Sequence, residues 1–398
     1  MKTFQAYQHR PACFRDVAET QWNSWIWQQQ NAVRNRFGLK KVFPSFPDEW
    51  LKMAEAWESK GFRFLITPYV AALVTKDEQE NPLENEPVWR QVFPMFKDFS
   101  DNARPDEYSK ADENWEIDEE MISPIAQHKY DNRVLVMTAD ACLGYCTYCF
   151  RSLQSNAQEE RHGGRPHWAQ TIGAIRQRPS VEEVILSGGD PLLFDNANVE
   201  EMLKDLRGIP HVKAIRIHTR AWLHNPYRID ENFCGLLKKY EVTEMGVHMI
   251  HPQEITKDFV DAVERVRAGG AKTLLLTDTP LIKGVNDSAE VLRELFMELY
   301  TSGVKPYYLS HNMPNIPAAA HQRTSVKRGL KLWNSLKRRI SNTAMPEYII
   351  TAHSGKKTVP ESEEGTPDFI YEQDQNGWPV IRFKNWKGDW AIYQDAQD

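Results

Sequence analysis

Three of the chain's five cysteines, Cys142, Cys146 and Cys149, fall within eight residues and form a C-x3-C-x2-C run. Thiols this closely spaced are ligands for a metal centre, not a disulfide frame. A four-iron cluster has four irons to ligate, so three cysteines leave one iron open to a ligand from outside the protein. An open iron implies chemistry. A zinc knuckle would want a fourth Cys or His at ligand spacing, and a redox C-x2-C pair would leave Cys142 without a role. The run is read as the loop of a [4Fe-4S] cluster.

The remaining candidates sit where strands end. Runs of strand-forming residues recur at 133–138, 183–187, 212–218, 245–250, 272–277 and 305–310. Amphipathic stretches separate them, at about 197–207, 229–240, 253–268, 287–302 and 325–341. The cysteine loop follows the first run, Ser187-Gly-Gly-Asp190 the second, Thr219 and Arg220 the third, and His248 ends the fourth. In α/β barrels the active site lies at the C-terminal ends of the strands. The pattern therefore predicts an α/β fold: a partial (β/α)6 TIM-like barrel with a helical N-terminal region and a C-terminal extension. The expected divisions are 1–120, helices and an acidic linker, 121–345, the barrel core, and 346–398, the extension.

Composition narrows the function classes. The 398 residues are 41% hydrophobic with mean hydropathy −0.60, and no run of about 18 apolar residues exists to cross a membrane. A net charge of −6 argues against a nucleic-acid partner. The basic stretch 327–339 reads as the solvated face of an amphipathic helix. The first residues lack the apolar core of a secretory leader, and few, clustered cysteines fit a reducing compartment, so the expected location is cytoplasmic.

Ordered motifs along nearly the whole chain give it a resemblance to the radical S-adenosylmethionine superfamily, and more narrowly to the lysine 2,3-aminomutase family. They are the cysteine loop, Phe14-Arg-Asp-Val with Trp22-Asn-Ser-Trp25-Ile-Trp27-Gln28, Ile66-Thr-Pro-Tyr69, Tyr130 with Arg133-Val-Leu135, Leu186-Ser-Gly-Gly-Asp190, Gly284-Val-Asn-Asp287, Pro306-Tyr-Tyr308 and Lys357-Thr358.

The resemblance implies three cofactors: the cluster on Cys142, Cys146 and Cys149, S-adenosylmethionine chelating its open iron, and pyridoxal 5′-phosphate on a lysine. Gly188, Gly189 and Asp190 would lie beside the methionine moiety, Tyr148 by the adenine, and Thr219, Arg220 and His248 on the same side. His248 read by itself is equally a buried histidine donating to a carbonyl. Lys357 is the expected pyridoxal lysine, because it precedes Thr358 as in the family, with Lys356 its alternative. Lys129, Tyr130 and Arg133 match the phosphate-side cluster, where cations suit a dianion. Arg151 matches the arginine that grips the substrate carboxylate. The implied reaction is a radical isomerisation that moves an amino group from C2 to C3 of a free amino acid. The implied partners are an electron donor such as flavodoxin or ferredoxin and further copies of the chain in a homo-oligomer.

Departures from the family bear on the substrate. Lysine-specific members place two aspartates where this chain has Met313 and Thr351. An ammonium buried without carboxylates costs several kcal/mol, so the expected substrate is glutamate, glutamine or a small neutral amino acid, with His311, Asn312 and His353 as the nearby polar residues. The family's zinc cysteines are missing, Ser288 standing at one such place, so structural zinc is not expected, and Cys13 and Cys234 read as ordinary thiols. Two alternatives stay open: action on a peptide- or protein-bound amino acid, and a non-catalytic iron–sulfur protein, which would leave Arg151 and Lys357 without roles.

Overall fold

Among the described residues ten strands form one sheet whose spatial order is also the order of the chain. The computed structural model describes residues 4–59, 61–95, 118–151, 167–270, 272–314, 316 and 319–397. Most of the expected acidic linker, 101–117, lies outside them. The strands are β1 (Met121–Ser123), β2 (Ala126–Tyr130), β3 (Arg133–Ala139), β4 (Glu183–Gly188), β5 (Ala214–Thr219), β6 (Glu244–Val247), β7 (Leu274–Leu281), β8 (Lys305–His311), β9 (Glu347–Ala352) and β10 (Gly355–Thr358). From β3 to β9 every pairing is parallel, while β1–β2–β3 and β9–β10 are antiparallel.

The six expected strands are β3 to β8, and β9 continues them, so the parallel sheet runs on past residue 345. Helices Asn196–Arg207, Glu231–Lys239, Lys257–Ala268 and Ala289–Thr301 cross between successive parallel strands. Their N-termini are closed by Asp195, Asp230, Thr256 and Ser288, each side chain accepting a backbone N–H of the first turn. Their apolar faces cover one face of the sheet: Val184, Leu186, Ile215, Ile217, Met245 and Val247 are at most 1% exposed. The intervening positions of the same strands face the barrel lumen and carry charge, among them Glu183, Arg216 and Glu244.

The barrel does not close by a strand ladder, since β1 and β10 are the two ends of the sheet. Side chains bridge the gap instead. Tyr130 Oη accepts the Lys356 backbone N–H at 2.9 Å, and Lys129 Nζ donates to the His353 carbonyl. Gly355, at φ +113°, leaves this approach open, because a Cβ there would lie 2.8 Å from Tyr130 Oη.

The N-terminal region buttresses the cysteine loop. Ser24 caps the helix Trp25–Gln30, and Thr67, followed by Pro68, caps Pro68–Leu73. Gln29 Nε2 donates to Leu143 O at 3.1 Å and Thr67 Oγ1 to His224 O at 2.7 Å, while Gln91 O receives Thr147 N–H at 2.9 Å. Phe43, Phe46, Trp89 and Phe93 pack together behind these contacts. A three-stranded antiparallel sheet, β11 (Phe369–Gln373), β12 (Pro379–Lys384) and β13 (Trp390–Gln394), closes over the end of β8, where Tyr393 Oη meets His311 Nδ1 at 2.6 Å. No described helix is long and apolar enough to cross a membrane.

Candidate active site

The cysteine loop leaves the C-terminal end of β3 and is held against the end of β4. Gly189 N–H donates to Ala139 O at 2.7 Å and Asp190 N–H to Ala141 O at 3.0 Å. A Cβ on Gly189 would lie 2.2 Å from Ala141 O, and one on Gly188, at φ +111°, 2.8 Å from Met137 Cα. The two glycines are therefore required by the chain's own loop. Gly144 is confined in the same way, since a Cβ there would lie 2.1 Å from His224 Nδ1.

Around the thiols the environment is buried and polar. Burial pushes the Cys142 thiol well up, and Cys149, Asp190 and Cys146 add to it. Cys146 Sγ accepts a hydrogen bond from Arg220 Nη1 at 3.0 Å and lies 3.9 Å from His224 Nε2. Asp190 is 4% exposed and fully engaged: Thr219 Oγ1, Arg220 N and Leu192 N all donate to its carboxylate, at 2.7 to 2.9 Å. It fixes the end of β5 against the end of β4.

Among the described residues no three His, Cys, Asp or Glu side chains converge on a single ion. Cluster ligation asks for a different arrangement, with each thiolate on its own iron. A loop of three thiols, one already facing a guanidinium, suits a cluster better than a lone cation. Tyr148 packs against Ile250, Ile282 and Val285, with the Arg220 guanidinium 5.3 Å from its ring centroid. This is an apolar wall beside the cysteines.

The lumen holds the rest. Arg216 pairs with Glu183 at 3.2 Å and Glu244 at 3.0 Å near the start of the strands. Above them His218 and His248 stand with ring centroids 5.7 Å apart, and Gly246 makes room, as a Cβ there would lie 3.0 Å from the His218 ring. Burial, with His248, Arg216 and Lys356 adding to it, pushes the His218 imidazole well below its usual range, and burial lowers His248 too, against the opposing effect of Asp278. Asp278 accepts from Lys356 Nζ at 3.2 Å and Ser310 Oγ at 2.7 Å. Burial raises its carboxyl, but Lys356, His248 and Ser310 outweigh that and hold it below the ordinary carboxylate range.

The hairpin β9–β10 separates the two adjacent lysines. Lys356 pairs with Thr351 and Lys357 with Ile350, so they take opposite faces of the sheet. Lys356 enters the lumen, its ammonium 4.1 Å from the Tyr308 ring centroid. Lys357, the expected pyridoxal lysine, shares the face of fully buried Ile350, away from Asp278. Lys357 is expected because it precedes Thr358, and the register sends its side chain to the face opposite that of Lys356.

The other expected residues sort by position. Arg151 Nη1 lies 2.9 Å from Met137 Sδ at the top of β3. Arg133 stacks its guanidinium 4.3 Å from the Tyr130 ring centroid, and Lys129 also pairs with Glu120 at 2.8 Å. His311 and Asn312 are not lumen residues. His311 is 1% exposed, bonded to Tyr393 and Thr324, and held near pKa 3 by burial and Arg323, while Asn312 bonds to Gln322 O. Both serve the packing of the C-terminal sheet. Asp278, His218 and the Arg216 pairs escaped the sequence reading, although charges at alternate positions of apolar strands were their signal.

Residues 136–296 match the Radical SAM superfamily. A putative L-lysine 2,3-aminomutase of Aquifex aeolicus is 31% identical over 96% of this chain and 97% of its own length. The L-lysine 2,3-aminomutase of Bacillus subtilis is 31% identical, covering 97% and 77% respectively. The chain belongs to the lysine 2,3-aminomutase family. The glutamate 2,3-aminomutase of Clostridioides difficile is also similar, at 28% identity over 93% of this chain and 82% of that one. This lysine 2,3-aminomutase family member is thus a radical S-adenosylmethionine aminomutase, an isomerase that works with a four-iron cluster and S-adenosylmethionine.

Proposed function

We propose that this enzyme moves an amino group between C2 and C3 of a free amino acid whose side chain is uncharged, with pyridoxal phosphate held on Lys356. The observation that carries the substrate class is the pairing of charge in the lumen. Asp278 is committed to Lys356, and Glu183 and Glu244 to Arg216, while Met313 and Thr351 stand where the family resemblance puts aspartates. Glu183 and Glu244 share one guanidinium near the start of the strands, and the Met313 and Thr351 positions offer no acid to a lysine ammonium. The imidazoles of His218 and His248 offer donors and acceptors that suit a polar or small uncharged group.

When bound, the cluster and S-adenosylmethionine supply a 5′-deoxyadenosyl radical, and pyridoxal phosphate supplies the carrier for the migrating nitrogen. The chain's residues position and shield. Cys142, Cys146 and Cys149 hold the cluster, and Tyr148 with Ile250, Ile282 and Val285 forms the wall for the adenine. Gly188, Gly189, Asp190 and Thr219 keep that wall's neighbouring strand ends in place. Arg151 binds the substrate α-carboxylate as a two-pronged donor. Lys129 and Arg133, with Tyr130, hold the phosphate at the seam between β2 and β10. Asp278 keeps Lys356 aimed into the lumen. The chain divides functionally into a buttress, 1–120, a barrel, 121–345, and an extension, 346–398, that delivers the lysine. Its surroundings are a reducing compartment, a small iron–sulfur or flavin electron donor and copies of itself.

The test is anaerobic reconstitution with iron, sulfide, S-adenosylmethionine and pyridoxal phosphate, followed by a screen of the common amino acids for β-amino products. Uncharged substrates giving product, with L-lysine poor, is the expected result. Turnover of L-lysine above all others overturns the substrate class, and no turnover of any free amino acid favours a peptide-bound substrate.

A further inference from the structure

Arg220 is placed by every polar atom it has. Its backbone N–H binds Asp190 at 2.9 Å and its Nε donates to His248 O at 3.3 Å. Nη1 donates to Cys146 Sγ at 3.0 Å, and Nη2 reaches Gln91 Oε1 at 2.6 Å and Glu254 Oε2 at 3.4 Å. The residue is 8% exposed and Glu254 1%. We propose that Arg220 sets the reduction potential of the cluster bound by Cys142, Cys146 and Cys149, and that Glu254 and Gln91 moderate it from the other side of the guanidinium.

The physics is direct. One-electron reduction makes a cluster and its thiolates more negative, so a fixed cation and an N–H···S bond at one thiolate stabilise the reduced form and raise the potential. A buried carboxylate on the far side of that cation acts in the opposite sense. Glu254 is held in place by Gln91 Nε2 at 2.7 Å and by the N–H groups of Ile250 and His251 at 3.2 and 3.1 Å. Gln91 belongs to the helix Trp89–Val92, and its carbonyl receives the N–H of Thr147, the residue after Cys146. Gln91 thus joins the two, its backbone holding the cysteine loop and its side chain bonded to both members of the Arg220–Glu254 pair. A purely structural arginine would fix the loop without moving a potential. The proposal rests on the cysteine loop's holding a cluster, and the experiment separates the two.

Anaerobically reconstituted protein, without S-adenosylmethionine, is assayed for iron and sulfide and then titrated with dithionite while the reduced cluster is followed by electron paramagnetic resonance. Arg220→Met, which keeps length but removes charge and donors, is expected to shift the midpoint to more negative potential. Arg220→Lys should fall between the two. Glu254→Gln, which keeps an acceptor but removes the opposing charge, should shift it to more positive potential. A fully loaded Arg220→Met protein with an unchanged or more positive midpoint overturns the proposal. Should that variant fail to hold a cluster, Glu254→Gln decides alone: a positive shift supports the proposal, and no shift or a negative one overturns it. Unsubstituted protein that takes up no iron overturns the cysteine assignment and this proposal with it.

Discussion

Lys356 and Asp278 meet inside the barrel, Nζ to Oδ2 at 3.2 Å, although they come from β10 and β7. The contact joins the last strand of the sheet to the side of the lumen where His248 lies, since the carbonyl of Asp278 also faces His248 Nδ1 at 3.2 Å. Imine formation with an aldehyde needs a positioned primary amine, and Asp278 is the carboxylate that positions this one.

The pyridoxal lysine is therefore open to a direct test. Borohydride reduction of protein incubated with pyridoxal phosphate, followed by peptide mapping, should place the label on Lys356. Lys356→Ala should abolish it and Lys357→Ala should leave it. Label on Lys357 would show that the hairpin pairs in a different register.

Substrate choice follows from the paired lumen charges. In direct competition, L-lysine should be processed with kcat/KM about 100-fold or more below the best uncharged amino acid, the equivalent of roughly 3 kcal/mol for an ammonium without its acid. Product analysis by mass spectrometry measures this. An L-lysine product in excess would mean that Asp278 releases Lys356 and accepts the substrate instead.

Glycine geometry around the cysteine loop predicts opposite outcomes for two like substitutions. Gly189→Ala drives a methyl group into the Ala141 carbonyl and should cost about 1–3 kcal/mol or more, together with iron content. Gly173→Ala, in the helix Trp168–Arg176 with open space around it, should gain about 0.5–1 kcal/mol. Denaturant unfolding and iron assays compare them. Equal effects would show that the loop gives way easily.

Acid–base behaviour should centre on Glu86. Its carboxylate accepts the N–H groups of Thr75 and Trp89 and the amide of Gln253, yet burial raises it to about 7. The folded state therefore keeps a proton that the unfolded chain loses near pH 4.5. Its stabilising contribution is complete below that pH and is lost as pH rises through about 7. Glu86→Gln should flatten the stability profile between pH 5 and pH 8 and raise stability at the alkaline end. An unchanged slope would assign the pH dependence to another group.

How much of this was legible beforehand differs by element. Strands β3, β4 and β8 were placed within a residue or so, because apolar runs bounded by Asn, Gly or Pro leave little choice. β7 extends to Leu281, four residues beyond its expected end, since Thr277-Asp-Thr-Pro reads as a loop until its alternate residues are seen to be buried. The cysteine loop and the strand-end segments were legible from spacing. The lumen was not. Which neighbour Asp278 takes depends on pairing across strands 78 residues apart, and whether Lys356 or Lys357 points inward depends on a register of one residue.

Because neighbouring strands in space are neighbours in sequence, a chain leaving the ribosome meets each partner already made. The buttress and the thiol end of the site come first, with Cys142 to Cys149 pinned once β4 pairs with β3. The amine comes last, on the hairpin that spans the seam through Tyr130 and Lys129. Synthesis therefore builds the iron-holding half of this catalyst while its lumen is still open at one side, and the arrival of β10 both shuts that side and supplies Lys356.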